Sequence, residues 1–413
     1  MPIPRPTSPA RYDVLIAGAR CAGASTALML ARAGLRVLVV DPLPRGRDTL
    51  STHALMRGAV LQLHRWGLLD RVRAAGTPAI TATTFDYGDE VVTIPLKSKD
   101  GVDALFAPRR TVLDPILVDA AEEAGAEFRH GWALAELIRD GERRVRGARL
   151  RGPGQASTLV EADWVVGADG LRSPTARLVG AATLRSARHT TASIYGYWTG
   201  LPDHEYRWCF RPGMGAGIIP TNDGRACVFV SVSPRQLEAV GARGLRRLVD
   251  RQMRRVDPEL ATRLARGPDA VPLRAFAGHP GHLRQVHGPG WALVGDAGYF
   301  RDPLTAHGIS DALRDAELLA EALAVGSEEA LADYQRQRDS VAVGLMDVTD
   351  RIAALDWSMA EVKELHHRLN LQMNAGLELI RARPAPVCAD RAGSGPSAPS
   401  LPACRRRGGC TAA

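Results

Sequence analysis

Aromatic side chains make up only 5% of this 413-residue chain, cysteine occurs six times, and no apolar run approaches the roughly 18 residues of a membrane span. Each scarcity excludes something. Cys21, Cys209, Cys227, Cys388, Cys404 and Cys410 show neither CxxC pairs nor the even framework of a short secreted domain, so disulfide staples and cysteine zinc sites are not expected. The opening MPIPRPTSPARYD places prolines where a signal peptide needs an apolar core. The expectation is a soluble, cytoplasmic protein without integral membrane association. A formal charge of +8 invites nucleic acid as a partner, but the arginines are scattered and the aromatics too few for stacking. Solvated faces account for them, and no nucleic-acid partner is expected. The one basic cluster, Arg405 to Arg407, sits in a tail of Pro, Ser, Gly, Ala and Arg that cannot bury enough apolar surface to order itself.

What is present begins with a βαβ pattern. Tyr12 to Ala17 is a short apolar strand, Ala22 to Ala33 a helix, and Arg36 to Val40 a second strand. Asp48 to Val72 reads largely as helix, Val91 to Lys97 as an edge strand, and Thr111 to Ala124 as a helix stopped at Gly125. Strands flank the turn at Arg151 to Gly154. From Ser193 to Val232, Tyr, Trp, Phe, Val and Ile alternate between Gly and Pro, which predicts antiparallel sheet. Leu237 to Leu264 returns to helix, and one or two helices between Asp347 and Leu379 end the globular part. No internal repeat is visible.

Gly18-Ala19-Arg20-Cys21-Ala22-Gly23 falls where a dinucleotide fingerprint belongs, between the first strand and the first helix. Gly18 permits the tight turn and Gly23 close packing of helix on strand. Asp41, at the end of the second strand, is placed to accept from ribose hydroxyls. Arg20 stands where the fingerprint has its middle glycine; it either pairs with a phosphate or is an exposed loop arginine. Two further blocks follow, Trp164 to Ser173 (WVVGADGLRS) and Trp291 to Ala316 (WALVGDAGYFRDPLTAHGISDALRDA). The second joins a buried strand, a Gly295-Asp296 step, a turn from Pro303 to Gly308 and a helix whose N-terminus favours an anion.

The three blocks, in this order, resemble the nucleotide motifs of flavoprotein monooxygenases of the para-hydroxybenzoate hydroxylase type, with similarity to geranylgeranyl reductase-type flavoproteins in the GARCAG form of the first loop. The resemblance implies an α/β fold: a Rossmann-like, three-layer ββα FAD-binding domain with an inserted antiparallel β-sheet substrate domain and C-terminal helices. Its parts are expected at 11–75, 101–185 and 276–345 for FAD, 76–100 and 186–275 for substrate, and 346–382 for the last helices. A flexible 1–10 and a disordered 383–413 flank them. The implied cofactors are FAD, with NADPH or NADH as electron donor. The implied chemistry is hydroxylation of an aromatic or other apolar small molecule by molecular oxygen through a flavin C4a-hydroperoxide.

By the same resemblance, Asp169 and Gly170 lie near the FAD pyrophosphate and Asp296 at the ribityl chain. Pro303 faces the flavin, and Gly308, Ile309 and Ser310 sit by its N1 and C2 edge. Gly295 belongs to the same step. Ala306 and Ser310 depart from the usual glycine and asparagine. Arg110 is favoured over Arg109 as an arginine near flavin or ribityl chain, with ordinary salt bridges as the alternative for both. Two histidines are candidates for catalysis: His53 binds flavin or substrate, or caps its helix, and His307 relays a proton at the flavin edge, or is a turn residue held by a backbone bond. His279, His282 and His287 lack the carboxylates or cysteines that would complete a metal site, so no metal is expected. Gly213 to Gly217 reads as a hairpin or bulge, not a phosphate cradle. Three alternatives stay open: a reductase of the geranylgeranyl kind, a flavin-dependent halogenase, whose tryptophans around an Ile-Pro strand are missing from Gly215 to Pro220, and a non-catalytic flavin-binding sensor.

Overall fold

Four parallel strands end on one line, and that line positions everything else. Ala10–Ala17 pairs with Val37–Asp41 on one side (Ala17 opposite Val40) and with Ser157–Gly167 on the other (Ala17 opposite Gly167). Trp291–Leu293 then pairs with Ser157–Gly167, Leu293 opposite Gly167. The strands are continuous apolar runs because helices cover both faces of a parallel sheet; Val14 to Ile16, Val37 to Val40 and Val165 to Val166 are buried throughout. The structure, a computed structural model, describes residues 10–202, 204–266 and 272–384. The expected flexible start, apart from Ala10, and the tail beyond Pro384 with Cys388, Cys404, Cys410 and Arg405 to Arg407 lie outside them.

The sheet holding these strands has eight members, and its first helix, Cys21–Arg32, packs on the helix Gly308–Val325. A second, seven-stranded sheet runs in the order Arg274–Phe276, Ala192–Thr199, Arg225–Val232, Met214–Thr221, Glu205–Arg211, Ala82–Asp86 and Val91–Pro95. Its alternation sorts two cores. Ile194, Trp198, Ala216, Val228 and Val230 point away from the nucleotide domain and pack on Leu245–Val256 and Pro258–Arg266. Tyr195, Tyr197, Trp208, Phe210 and Phe229 join the main core. Trp198 thus faces away from the nucleotide domain; its indole N–H donates to the Leu264 carbonyl at 3.2 Å.

The long helix expected from Asp48 to Val72 is corrected to two short ones, Arg57–Arg65 and Leu69–Ala74. Residues before Arg57 stay irregular because Asp48 is held by Arg109 (3.1 Å) and Arg274 (2.9 Å), and His53 takes a left-handed φ of 49°. The expected helix over Leu237 to Leu264 is broken into three pieces, Pro234–Val240, Leu245–Val256 and Pro258–Arg266, with glycine and proline at the breaks. Two long helices, Glu328–Ala353 and Met359–Arg381, close the described chain. Arg65 ties the end of the second one down by donating to the carbonyls of Ile380 and Arg383.

Candidate active site

A cavity of about 600 Å³ runs from the ends of the parallel strands to the seven-stranded sheet that roofs it. Of the residues singled out in the sequence, Gly18, Arg20, Asp41, His53, Arg110, Asp169, Gly170, Asp296, Pro303, Gly308 and Ile309 line it. Residues up to 291 positions apart meet there because their strands end together.

The first loop needs its glycines for measurable reasons. Gly18 has φ 110°, and a Cβ there would lie 2.3 Å from the Ala168 carbonyl oxygen. A Cβ on Gly23 would lie 1.8 Å from the Gly18 oxygen. Gly295, at φ 60°, would meet Ala22 at 2.8 Å. Neither Gly23 nor Gly295 lines the cavity; they set the packing that shapes it. The Asp41 carboxylate accepts from the backbone N–H of Ala19 at 2.9 Å and of Leu43 at 2.8 Å, so it holds the loop and still has lone pairs toward the cavity. Arg20 reaches the Thr49 hydroxyl and has no ion pair among the described residues. Arg110 forks onto Asp114 at 2.9 and 3.1 Å, and Asp114 also accepts from the Cys21 thiol. Burial pushes that thiol well above its ordinary range.

Asp169 is spoken for: it accepts from the Ser173 hydroxyl and from Thr175 through both backbone N–H (2.8 Å) and hydroxyl (2.7 Å), anchoring the short helix Pro174–Val179. Asp296 is its opposite. Its carboxylate lines the cavity with no hydrogen bond from any described residue, and burial, relieved in part by Arg110, raises its pKa to about 6.

The turn after Asp296 contains the departures noted in the sequence. Ala306 has φ 54°, which explains why glycine suits this position. The side chains of His307 and Ser310 lie off the cavity wall. His307 is absent from the cavity wall; its Nδ1 donates to the Thr305 carbonyl, which can only accept, and its Nε2 is buried without a partner. It is a turn residue held by a backbone bond. The Ser310 hydroxyl is likewise buried, unpartnered and off the wall. The same block also holds Arg301, whose side chain is 4% exposed, lines the cavity and pairs with Asp311 at 2.5 Å, leaving Nε and Nη1 without partners. Arg314 and Asp315 continue this buried charge cluster. Nothing in the spacing showed that Arg301 turns inward.

His53 lines the cavity, yet it caps no helix. Its Nδ1 donates to the Ala107 carbonyl and its Nε2 accepts from the Tyr197 hydroxyl, both at 3.1 Å, so the ring is neutral with its proton on Nδ1. Burial, reinforced by Arg109, lowers its pKa to about 3. Arg109 stacks over Tyr197 at 4.1 Å and off the cavity wall. Of the three clustered histidines, His282 bonds the Asp296 carbonyl at 3.1 Å. Among the described residues no group of three His, Cys, Asp or Glu side chains is arranged to hold a metal. No helix of the described residues is long and apolar enough to cross a membrane.

A glycine cradle too tight for any Cβ, a free carboxylate and an unpaired arginine at the carboxyl ends of parallel strands fit a dinucleotide, and define a dinucleotide-binding protein. A family model described as an FAD binding domain matches residues 11–349. The chain belongs to this family of FAD-dependent oxidoreductases, of the para-hydroxybenzoate hydroxylase type, and is an enzyme. It is 29% identical over 334 residues to a menaquinone reductase of Mycolicibacterium smegmatis, covering 76% of this chain and 77% of that one. Two solved structures share the fold: a flavin-dependent brominase (TM-score 0.73, 19% identity, covering 90% of this chain and 93% of that one) and PqsL, a probable FAD-dependent monooxygenase from Pseudomonas aeruginosa (TM-score 0.72, 22% identity, 88% and 100%).

Proposed function

We propose that the protein is an NAD(P)H-dependent monooxygenase that hydroxylates an aromatic or other apolar small molecule with molecular oxygen. The carrying observation is continuity: Gly18 and Asp41 at one end, and Tyr195 and Phe229 in the roof, line a single cavity. FAD would be held by the Gly18 to Gly23 loop, Asp41, Arg110, Gly170, Asp296 and the turn from Pro303 to Ile309, with Arg20 as a phosphate partner. When bound it supplies hydride acceptance and reactivity toward oxygen.

The protein's own groups do the rest. The Asp296 carboxylate would accept from hydroxyls of the cofactor's ribityl chain. Free N–H groups at the start of Gly308–Val325, and the Arg301 guanidinium behind them, oppose negative charge that develops at this edge. Neutral His53 fixes the loop wall through Tyr197 rather than carrying a proton, since both ring nitrogens are engaged. The roof aromatics exclude water from the reacting end.

A reductase acting on a quinone or prenyl group is the second reading, favoured by the likeness to menaquinone reductase. A halogenase has less support, because the strand through Gly215 to Pro220 carries no tryptophan. The deciding experiment adds NADH or NADPH to the purified yellow protein with a panel of aromatic compounds under ¹⁸O₂. Labelled oxygen in one product supports hydroxylation; substrate reduced without oxygen uptake overturns it, and bromide or chloride incorporated in its place points to the halogenase.

A further inference from the structure

Two rungs of the roof sheet build a slot whose polarity is concentrated at one point. Across the strands, Phe276, Ser193, Ser231 and Gly215 form one rung, and Arg274, Tyr195, Phe229 and Gly217 the next on the same face. Both rungs carry glycine before they continue to Phe210 and Trp208, and for steric reasons: a Cβ on Gly217 would lie 2.3 Å from the Phe229 ring, and one on Gly215 2.9 Å from Leu304. Ser193 and Ser231 line the cavity beside Tyr195, Phe229 and Phe276, although they are only 7% and 0% exposed.

Their hydroxyl oxygens lie 2.7 Å apart, and no other described group bonds either of them. Two hydroxyls bring two protons, and their mutual bond uses one. One O–H donor and several lone pairs therefore remain at an otherwise aromatic wall. The two tyrosine hydroxyls beside them are committed, Tyr197 to His53 and Tyr195 to the backbone of Ser51 and Thr49. Next to this face a single carboxylate, Asp48, is shared by two cations, Arg109 and Arg274. A buried polar group of this kind calls for a partner.

We propose that Ser193 and Ser231 are the substrate anchor of this cavity, selecting a planar ring that carries a hydroxyl, carbonyl or N–H group over a purely hydrocarbon ligand. The rings of Tyr195, Phe229 and Phe276 supply the flat walls, and the serine pair both donates and accepts. This rests on the proposed action of the enzyme on a ring compound.

The test compares binding of 2-naphthol and naphthalene to the FAD-loaded full-length protein, read from the flavin absorbance without NADH or NADPH. The wild type should prefer 2-naphthol by roughly tenfold, the worth of one well-placed hydrogen bond. In the Ser193→Ala/Ser231→Ala double variant the two ligands should bind alike, with the flavin spectrum unchanged. The single Ser193→Ala variant, which keeps the enclosed Ser231 hydroxyl, should retain part of the preference and serves if the double variant loses flavin. No preference in the wild type, no binding of either ligand, or an undiminished preference in the double variant overturns the anchor. Because turnover is not measured, a protein that keeps the serine-dependent preference but never incorporates oxygen would sink the monooxygenase reading alone.

Discussion

The Nε2 atom of His53 lies 3.1 Å from the Tyr197 hydroxyl, and this bond fastens the irregular segment after the second parallel strand to the roof of the cavity. The same histidine is anchored through Nδ1 to Ala107, whose carbonyl also accepts from Thr221 at 2.6 Å. Three separate stretches of chain therefore converge on one neutral imidazole.

Replacing Tyr197 with Phe removes the donor and strands a buried acceptor. The expected loss of stability is about 1–3 kcal/mol. Chemical denaturation should show it while the purified variant keeps its flavin. A variant as stable as the wild type would mean that the bond contributes nothing.

The pKa values of His53 and His307, both lowered to about 3 by burial, give a pH dependence of definite sign. Below pH 6.5 the unfolded chain takes up protons that the folded one refuses. Their stabilising contribution is present above pH 6.5 and is lost as the pH falls toward about 3. His53→Gln should therefore show a shallower loss of denaturation midpoint than the wild type between pH 7 and pH 5 (about one titrating group fewer). An identical slope would show that His53 is not neutral in the folded protein.

Asp296 runs the other way, because burial raises its pKa from 3.8 to about 6. In flavin-free protein its contribution is present below pH 3.8 and disappears as the pH rises through about 6. Flavin-free Asp296→Asn should match the wild type in acid and be the more stable of the two above about pH 6. The same exchange should weaken FAD retention by roughly tenfold or more, since a charged acceptor becomes a neutral one. Equilibrium dialysis against free FAD checks this, and unchanged affinity would remove Asp296 from the site.

Two glycine substitutions separate steric exclusion from backbone strain. Gly23→Ala puts a methyl 1.8 Å from the Gly18 oxygen and should yield protein without bound flavin. Gly180→Ala, just after the helix Pro174–Val179 and off the cavity wall, meets no atom within 4 Å, but its φ of 69° favours glycine. The penalty should be about 1–2 kcal/mol, with flavin binding kept. The flavin-to-protein absorbance ratio and the melting temperature distinguish the two.

Much of this was legible in the residues. Gly18, Asp41, Asp169 and Asp296 announce the nucleotide site because strand ends, turns and helix starts have local chemistry that a linear pattern records. The Thr111 to Ala124 helix and the alternating strands were readable for the same reason. The segment from Asp48 to Met56 was not, since its helical composition is overridden by ion pairs to Arg109 and Arg274, distant in sequence. The orientation of His307 and Ser310 was not legible either, because a motif specifies where a turn lies and not which side chains point into the cavity.

The sequence by itself determined the nucleotide architecture and the presence of an aromatic-bearing sheet, consequences of short-range periodicity and turn chemistry, and through its resemblance to a known family the cofactor class. Only the tertiary structure decided that Trp198 faces away, that Arg301 turns inward, and that Ser193 opposes Ser231 across strands 38 residues apart. Strand register sets those relationships, and a shift of one residue would send every one of the roof side chains to the opposite face.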